Sequence, residues 1–217
     1  MKKLIGGILL LLLGFTTSGQ ILNFEIGQVM PKFDYKNSNG ESLDGLKSNN
    51  RGNIGFGIRY PLLNTNWHAS LLANYNRYEA EGSDPILGNY YKWDARFIGL
   101  NLGIDYEFFR PEVNRNEQHG FSLYLRGVVS SEFLIDGTQN LNNQISDLNG
   151  IEEFDKPFYY LRGAIGVNYY ISKTFILYGQ YMGGRSFLVG NYDNKEQLRF
   201  TIHSISIGLA INLMYFN

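Results

Sequence analysis

The sequence predicts an all-β protein: an eight-stranded antiparallel up-and-down transmembrane β-barrel. Three observations carry that prediction. Apolar side chains recur at every second position in segment after segment, long and short connections alternate between the segments, and aromatic residues collect at two levels. The last strand shows the pattern best. Ile205, Ile207, Leu209, Ile211, Leu213 and Tyr215 alternate with Ser204, Ser206, Gly208, Ala210 and Asn212, a set too polar and too small to form a soluble core.

Residues 1–19 read as a secretory signal peptide. Lys2 and Lys3 precede an uncharged apolar run, and the small residues Thr17 and Gly19 suit cleavage before Gln20. The run is too short to cross a bilayer as a helix, and no later segment reaches eighteen consecutive apolar residues. A membrane-integral chain of this kind must therefore be a closed barrel, the remaining structure that satisfies its backbone in lipid. Residues 20–217 form one domain. With 25 glycines and 15% aromatic residues the composition fits a sheet with one wet face, and the lack of cysteine excludes a disulfide framework. A net charge of −1 leaves no broad basic surface, so nucleic acid is not an expected partner.

Taken in order, the first strand (about residues 21–35) sets Leu22, Phe24 and Ile26 against Asn23, Glu25 and Gly27. The second (about 53–60) sets Ile54, Phe56, Ile58 and Tyr60 against Gly55, Gly57 and Arg59. The third (about 67–79) sets Trp67, Ala69, Leu71, Ala73 and Tyr75 against His68, Ser70, Asn74 and Asn76, with Leu72 out of place. In the fourth, Ile98, Leu100, Leu102, Ile104, Tyr106 and Phe108 alternate with Gly99, Asn101, Gly103, Asp105 and Glu107. The fifth sets Phe121, Leu123, Leu125, Val129 and Phe133 against Ser122, Tyr124, Arg126, Ser130 and Glu132. The sixth sets Tyr159, Leu161, Ile165 and Val167 against Tyr160, Arg162, Gly166 and Asn168. The seventh (about 175–184) is weakest, because Ile176 and Met182 blur its parity, and the eighth is the terminal strand.

The expected connections 36–52, 80–91, 136–157 and 185–197 are long, while 61–66, 109–120 and 171–174 are shorter. Barrels of outer membranes have long external loops and short periplasmic turns, so both termini fall on the periplasmic side. Tyr60, Trp67, Tyr106, Phe108, Phe121, Tyr169 and Phe175 then lie at the turn level, and Tyr75, Phe133, Tyr159 and Tyr181 near the loops. Two aromatic girdles are expected of a lipid-facing wall.

On the export signal, the strand and loop order and the aromatic-ended segment 208–216, the chain resembles the small outer-membrane barrels of the OmpA/OmpX type. It is more similar still to the short porin-like "outer membrane protein β-barrel domain" proteins of Bacteroidota. The resemblance covers residues 20–217 and implies a Gram-negative outer-membrane location in contact with lipopolysaccharide and other outer-membrane lipid.

An eight-stranded barrel is just wide enough for side chains to fill. The expected inward set brings Glu25, Asp105, Glu107 and Glu132 to face Arg59, Arg126 and Arg162, and opposite charges so close are expected to pair as a polar plug. No catalytic, cofactor or metal site is expected. His68 and His119 fall near the turn end and His203 near the loop end, too far apart for one constellation. The acidic loop residues Glu79, Glu81, Asp84, Asp136, Asp147, Glu152, Glu153 and Asp155 match no calcium-loop spacing. A structural or interaction role is the leading expectation. The alternatives are an accessory subunit of a larger outer-membrane secretion or assembly complex, a narrow small-solute channel, and a soluble lipocalin-like carrier.

Overall fold

The structure, a computed structural model, describes residues 20–36, 40, 42, 46–62, 66–83, 90–111, 119–187 and 197–215. The expected export signal, Asp84, Phe216 and Asn217 lie outside them. The elements are β1 (Ile21–Lys36), β2 (Lys47–Asn49), β3 (Arg51–Pro61), β4 (Trp67–Ser83), β5 (Tyr90–Phe108), β6 (Gly120–Leu141), β7 (Gln144–Asp147), a short helix α1 (Glu152–Asp155), β8 (Phe158–Tyr170), β9 (Phe175–Phe187) and β10 (Gln197–Asn212), which is followed by a 3-10 turn (Leu213–Tyr215) where the sequence pattern continues the strand.

Eight of these strands close a ring in the order β1, β3, β4, β5, β6, β8, β9, β10 and back to β1, every pair antiparallel. Following the pairing once around from Ile21 leads through Arg59, Ser70, Gly103, Val128, Arg162, Gly184 and Ile202 to Pro31, ten residues along the starting strand. That stagger in a ring of eight tilts the strands by about 40°. Closure leaves no sheet edge in the wall, which is the condition for crossing lipid.

The parity read from the sequence is the parity of the wall. Leu102 and Ile207, each 63% exposed, point outward, while Asp105 and Arg126 are buried inside. On β5 the outward apolar file from Ile98 to Phe108 spans about 25 Å at this tilt, the height of a lipid-facing band. Rings close it at the turn end, where Trp67 packs on Tyr106 (4.7 Å between centroids) and Phe121 on Tyr169 (4.8 Å). At the loop end Tyr75, Phe133 and Tyr181 are exposed on the same face. Leu72 faces inward opposite Gly57, where a side chain would collide with it, and Ile176 is buried inside as well.

Three long connections differ from expectation, the 36–52 link because it holds β2 and the start of β3. The 80–91 link is shorter because β4 runs to Ser83 and β5 begins at Tyr90, and the 136–157 link holds the end of β6, β7 and α1. The wall formed by β4, β5 and β6 thus continues past the apolar band, by roughly 15 Å along β5. Two bulges lie where it does so. Between Asn49↔Glu79 and Asn53↔Asn76, three residues on one strand oppose two on the other. On β6, Ile135 is the extra residue between Leu134, opposite Phe97, and Asp136, opposite Arg96. Arg77 and Arg96 pair directly, so both irregularities sit at one level.

Candidate functional site

All seven residues expected in the lumen are inside it, none more than 7% exposed. Asp105 is the hub of the turn half. The Arg126 guanidinium donates to its two oxygens from Nε (2.7 Å) and Nη2 (2.8 Å), and Arg59 Nε stands 3.1 Å from Oδ2. Arg126 Nη1 also donates to Gln180 Oε1 (3.2 Å), whose Nε2 donates to Glu25 (2.9 Å) alongside the Tyr178 hydroxyl (3.2 Å). Arg59 lies between the rings of Tyr124 and Tyr178, 5.4 and 6.0 Å from their centroids. Those rings fit because the residues directly opposite are Gly166 and Gly208, where a Cβ would come within 2.3 Å of each ring.

The expected pairing of opposite charges needs correction at two carboxylates. Glu107 is held by the hydroxyls of Ser122 and Tyr170 and by Asn168 Nδ2 (2.8 Å), and Glu25 by Tyr178 and Gln180, with no arginine among the described residues in hydrogen-bond contact with either. The reason is geometric. The fork of Arg126 is already engaged by Asp105, so its influence reaches Glu25 through Gln180. Several buried polar atoms of this half, Arg59 Nη2, His68 Nδ1, Asn23 Oδ1 and Asn53 Oδ1 among them, have no hydrogen-bond partner among the described residues. The section is a polar lining rather than a fully matched core.

Glu132 marks a seam. It is fully buried and accepts from Arg162 Nη2 (2.5 Å), Asn76 Nδ2 (2.6 Å) and the Tyr78 hydroxyl (2.7 Å), while the Arg162 guanidinium lies 4.2 Å over the Tyr160 ring. Beyond it the interior changes character. Val29, Phe33, Tyr78, Trp93, Phe97, Phe158, Tyr160, Phe200 and Ile202 form one apolar cluster inside the loop half. Phe200 contacts Phe33 and Phe158 at 4.8 Å, Tyr78 at 5.4 Å and Phe97 at 6.0 Å, mostly edge to face.

The segment after β6 folds back over this cluster. Asn142 and Asn143 adopt positive φ (50° and 68°) in the two-residue turn to β7, as the tightest hairpins require, and Leu148 and Phe154 are buried against the cluster. Outside, at the same height, the wall is charged. Glu79 accepts from Arg51 Nε (2.9 Å) and Asn49 Nδ2 (2.9 Å) and lies 3.1 Å from Lys92 Nζ, while Arg77 pairs with Asp94 and Arg96 with Asp136. Burial alone would raise the Glu79 carboxyl. The hydrogen bonds from Arg51, Asn49 and Lys92 outweigh it and bring the pKa from 4.5 down to about 2.

The histidines stay apart. His68 is buried inside, His119 stacks on Tyr169 (6.1 Å) at the turn end, and His203 is exposed on the outer face with Nδ1 2.6 Å from the Tyr181 hydroxyl. Sequence reasoning missed the neutral partners of the carboxylates and the whole aromatic cluster. A signal for the cluster exists. In β5 the apolar set changes from even to odd positions between Ile98 and Phe97, and in β10 from odd to even between Ile205 and Ile202.

Neither a protein-family model nor a curated protein matches this chain. Solved structures do. The crystal structure of the outer membrane protein OprG from Pseudomonas aeruginosa is similar at 13% identity and a TM-score of 0.55, covering 90% of this chain and 96% of that one. Neisserial surface protein A (NspA) is similar at 13% identity and a TM-score of 0.52, covering 88% and 96%. What this chain shares with them is the fold, an antiparallel transmembrane β-barrel.

Proposed function

We propose that this chain is an integral protein of a Gram-negative outer membrane, exported by residues 1–19, with a closed lumen and a structural or interaction role exercised through its loop end. The observation that carries the reading is the double filling of the interior. A solute entering from the turn end meets the network of Glu25, Arg59, Asp105, Glu107 and Arg126, then the Glu132–Arg162 seam, then the aromatic cluster. Removing any one layer leaves the others in the way. The same reading assigns the chain to the OmpA/OmpX-like small barrels, of the kind found in Bacteroidota, on its terminal strand and loop order. It assigns no catalytic role, because the three histidines lie apart from one another. The charged outer wall around Arg51, Arg77, Lys92 and Arg96 stands just beyond the lipid band, at the height where lipopolysaccharide headgroups would meet it.

Reconstitution into planar bilayers tests the closed lumen. The expected result is no steady single-channel conductance, and a stable conducting level in the unmodified protein overturns the reading in favour of a narrow channel. Recovery of the protein in the outer-membrane fraction, resistant to carbonate and released by detergent, checks the location. Recovery with the soluble fraction overturns it.

A further inference from the structure

At the loop end, on the outer side of the aromatic cluster, lies a cavity of about 390 Å³. Tyr35 of β1, Tyr91 and Trp93 of β5, Gln139 of β6 and Glu153 and Phe154 of α1 line it. Both its size and its make-up, aromatic walls with few polar groups, are those of a small-molecule site. Its rings do not form a flat platform. Tyr35 and Tyr91 are tilted 39° and 36° from the plane of Trp93, with centroids 6.1 and 5.9 Å away. Trp93 is fixed in place, because its indole N–H donates to Gln139 Oε1 (3.0 Å) and Phe33 stacks on it at 12°.

Glu153 supplies the charge on this lining, and it forms no ion pair with any described residue. The combination discriminates between ligand classes. Aromatic faces and a carboxylate both repel an anion. A cation with carbon-bound hydrogens is attracted by the ring faces and the carboxylate together.

We propose that this cavity binds a small organic cation, an amine or quaternary ammonium with apolar substituents. The site lies beyond the aromatic cluster, so the inference goes past the closed-lumen reading and does not depend on it.

The chain contains two tryptophans, and Trp67 sits on the outer face at the opposite end of the barrel. A Trp67→Phe variant folded in detergent micelles therefore leaves Trp93 as the sole indole reporter. Titration with choline and benzyltrimethylammonium is expected to give a saturable change in Trp93 emission. The neutral isostere 3,3-dimethylbutan-1-ol is expected to bind at least about tenfold more weakly. Glu153→Gln is expected to weaken choline about tenfold and leave the isostere unchanged. Equal binding of cation and isostere overturns the proposal, as does an unaltered choline affinity in folded Glu153→Gln, or no saturable signal with either cation. The isostere comparison is made on the unaltered cavity and decides the matter even where a variant fails to fold. Conductance is read separately, so failure of this site and failure of the closed lumen are distinguishable.

Discussion

On the turn side of Arg77 and Arg96 the wall presents Leu102 and Ile207 outward and holds Asp105 and Arg126 inside, whereas beyond them it presents Lys92 and Asp94 outward and holds Tyr91 and Trp93 inside. β5 runs through both halves without altering which of its faces points in. What changes is the chemistry placed on each face. In the membrane half lipid lies outside, so the apolar side chains go there and the polar ones fill the centre. In the loop half water lies outside, and the wall reverts to the arrangement of a soluble barrel, apolar within and charged without. The contrast shows that the surrounding solvent, rather than the topology, selects which face carries which chemistry.

The comparison breaks most visibly at the centre of the loop half. Phe200→Ala removes a ring that touches four others and is expected to cost about 3–5 kcal/mol. Urea unfolding in detergent micelles, followed by tryptophan emission, measures it, and an unchanged midpoint would show the cluster to be loosely packed. Glu132→Ala is expected to lose a similar or slightly smaller amount, about 3–5 kcal/mol, because Arg162 is left buried without its carboxylate. Replacing both, Glu132→Met with Arg162→Met, should recover most of that loss by the same assay.

A smaller effect sharpens the boundary itself. Leu102→Arg places a charge in mid-bilayer and is expected to cost about 2–4 kcal/mol. Tyr90→Arg lies on the same face of the same strand beyond the lipid band and should change stability by less than about 0.5 kcal/mol. Comparable losses at the two sites would remove the distinction between the halves. The smallest effect is set by acid. Glu79 has a lowered folded-state pKa, so its contribution is fully present above its ordinary 4.5 and is lost as pH falls toward about 2. Amide exchange in β2 and the adjoining part of β4 should quicken across that window, and Glu79→Gln should abolish the dependence.

Eight strands, their parity and the seven inward charged residues were legible because lipid outside and polar filling inside reinforce one another along every strand. The neutral partners were not. Nothing local in Ser122, Asn168 or Tyr170 distinguishes them as the holders of Glu107, since the three come together only through the register of β5, β6 and β8. The loop-half strands were hidden for a different reason. Tyr91, Trp93, Ala95 and Phe97 alternate with Lys92, Asp94 and Arg96 as cleanly as any membrane strand, but in the opposite phase. A search for one continuous phase reads that reversal as a loop. The Glu153 cavity was equally hidden, because β1, β5, β6 and α1 each bring one or two of its walls.

The two bulges beside Arg77 and Arg96 act as a collar on the barrel. Ring closure is complete beneath them, so the projecting segments are phased on their own. Residues added or removed above the collar change how far the wall reaches from the bilayer and which ornaments it presents, and leave the stave-to-stave shear below intact. A single added residue below it would displace an entire stave by one position and turn its greasy side toward the centre. Length variation in this molecule is thus tolerable on one side of a single level and ruinous to assembly on the other.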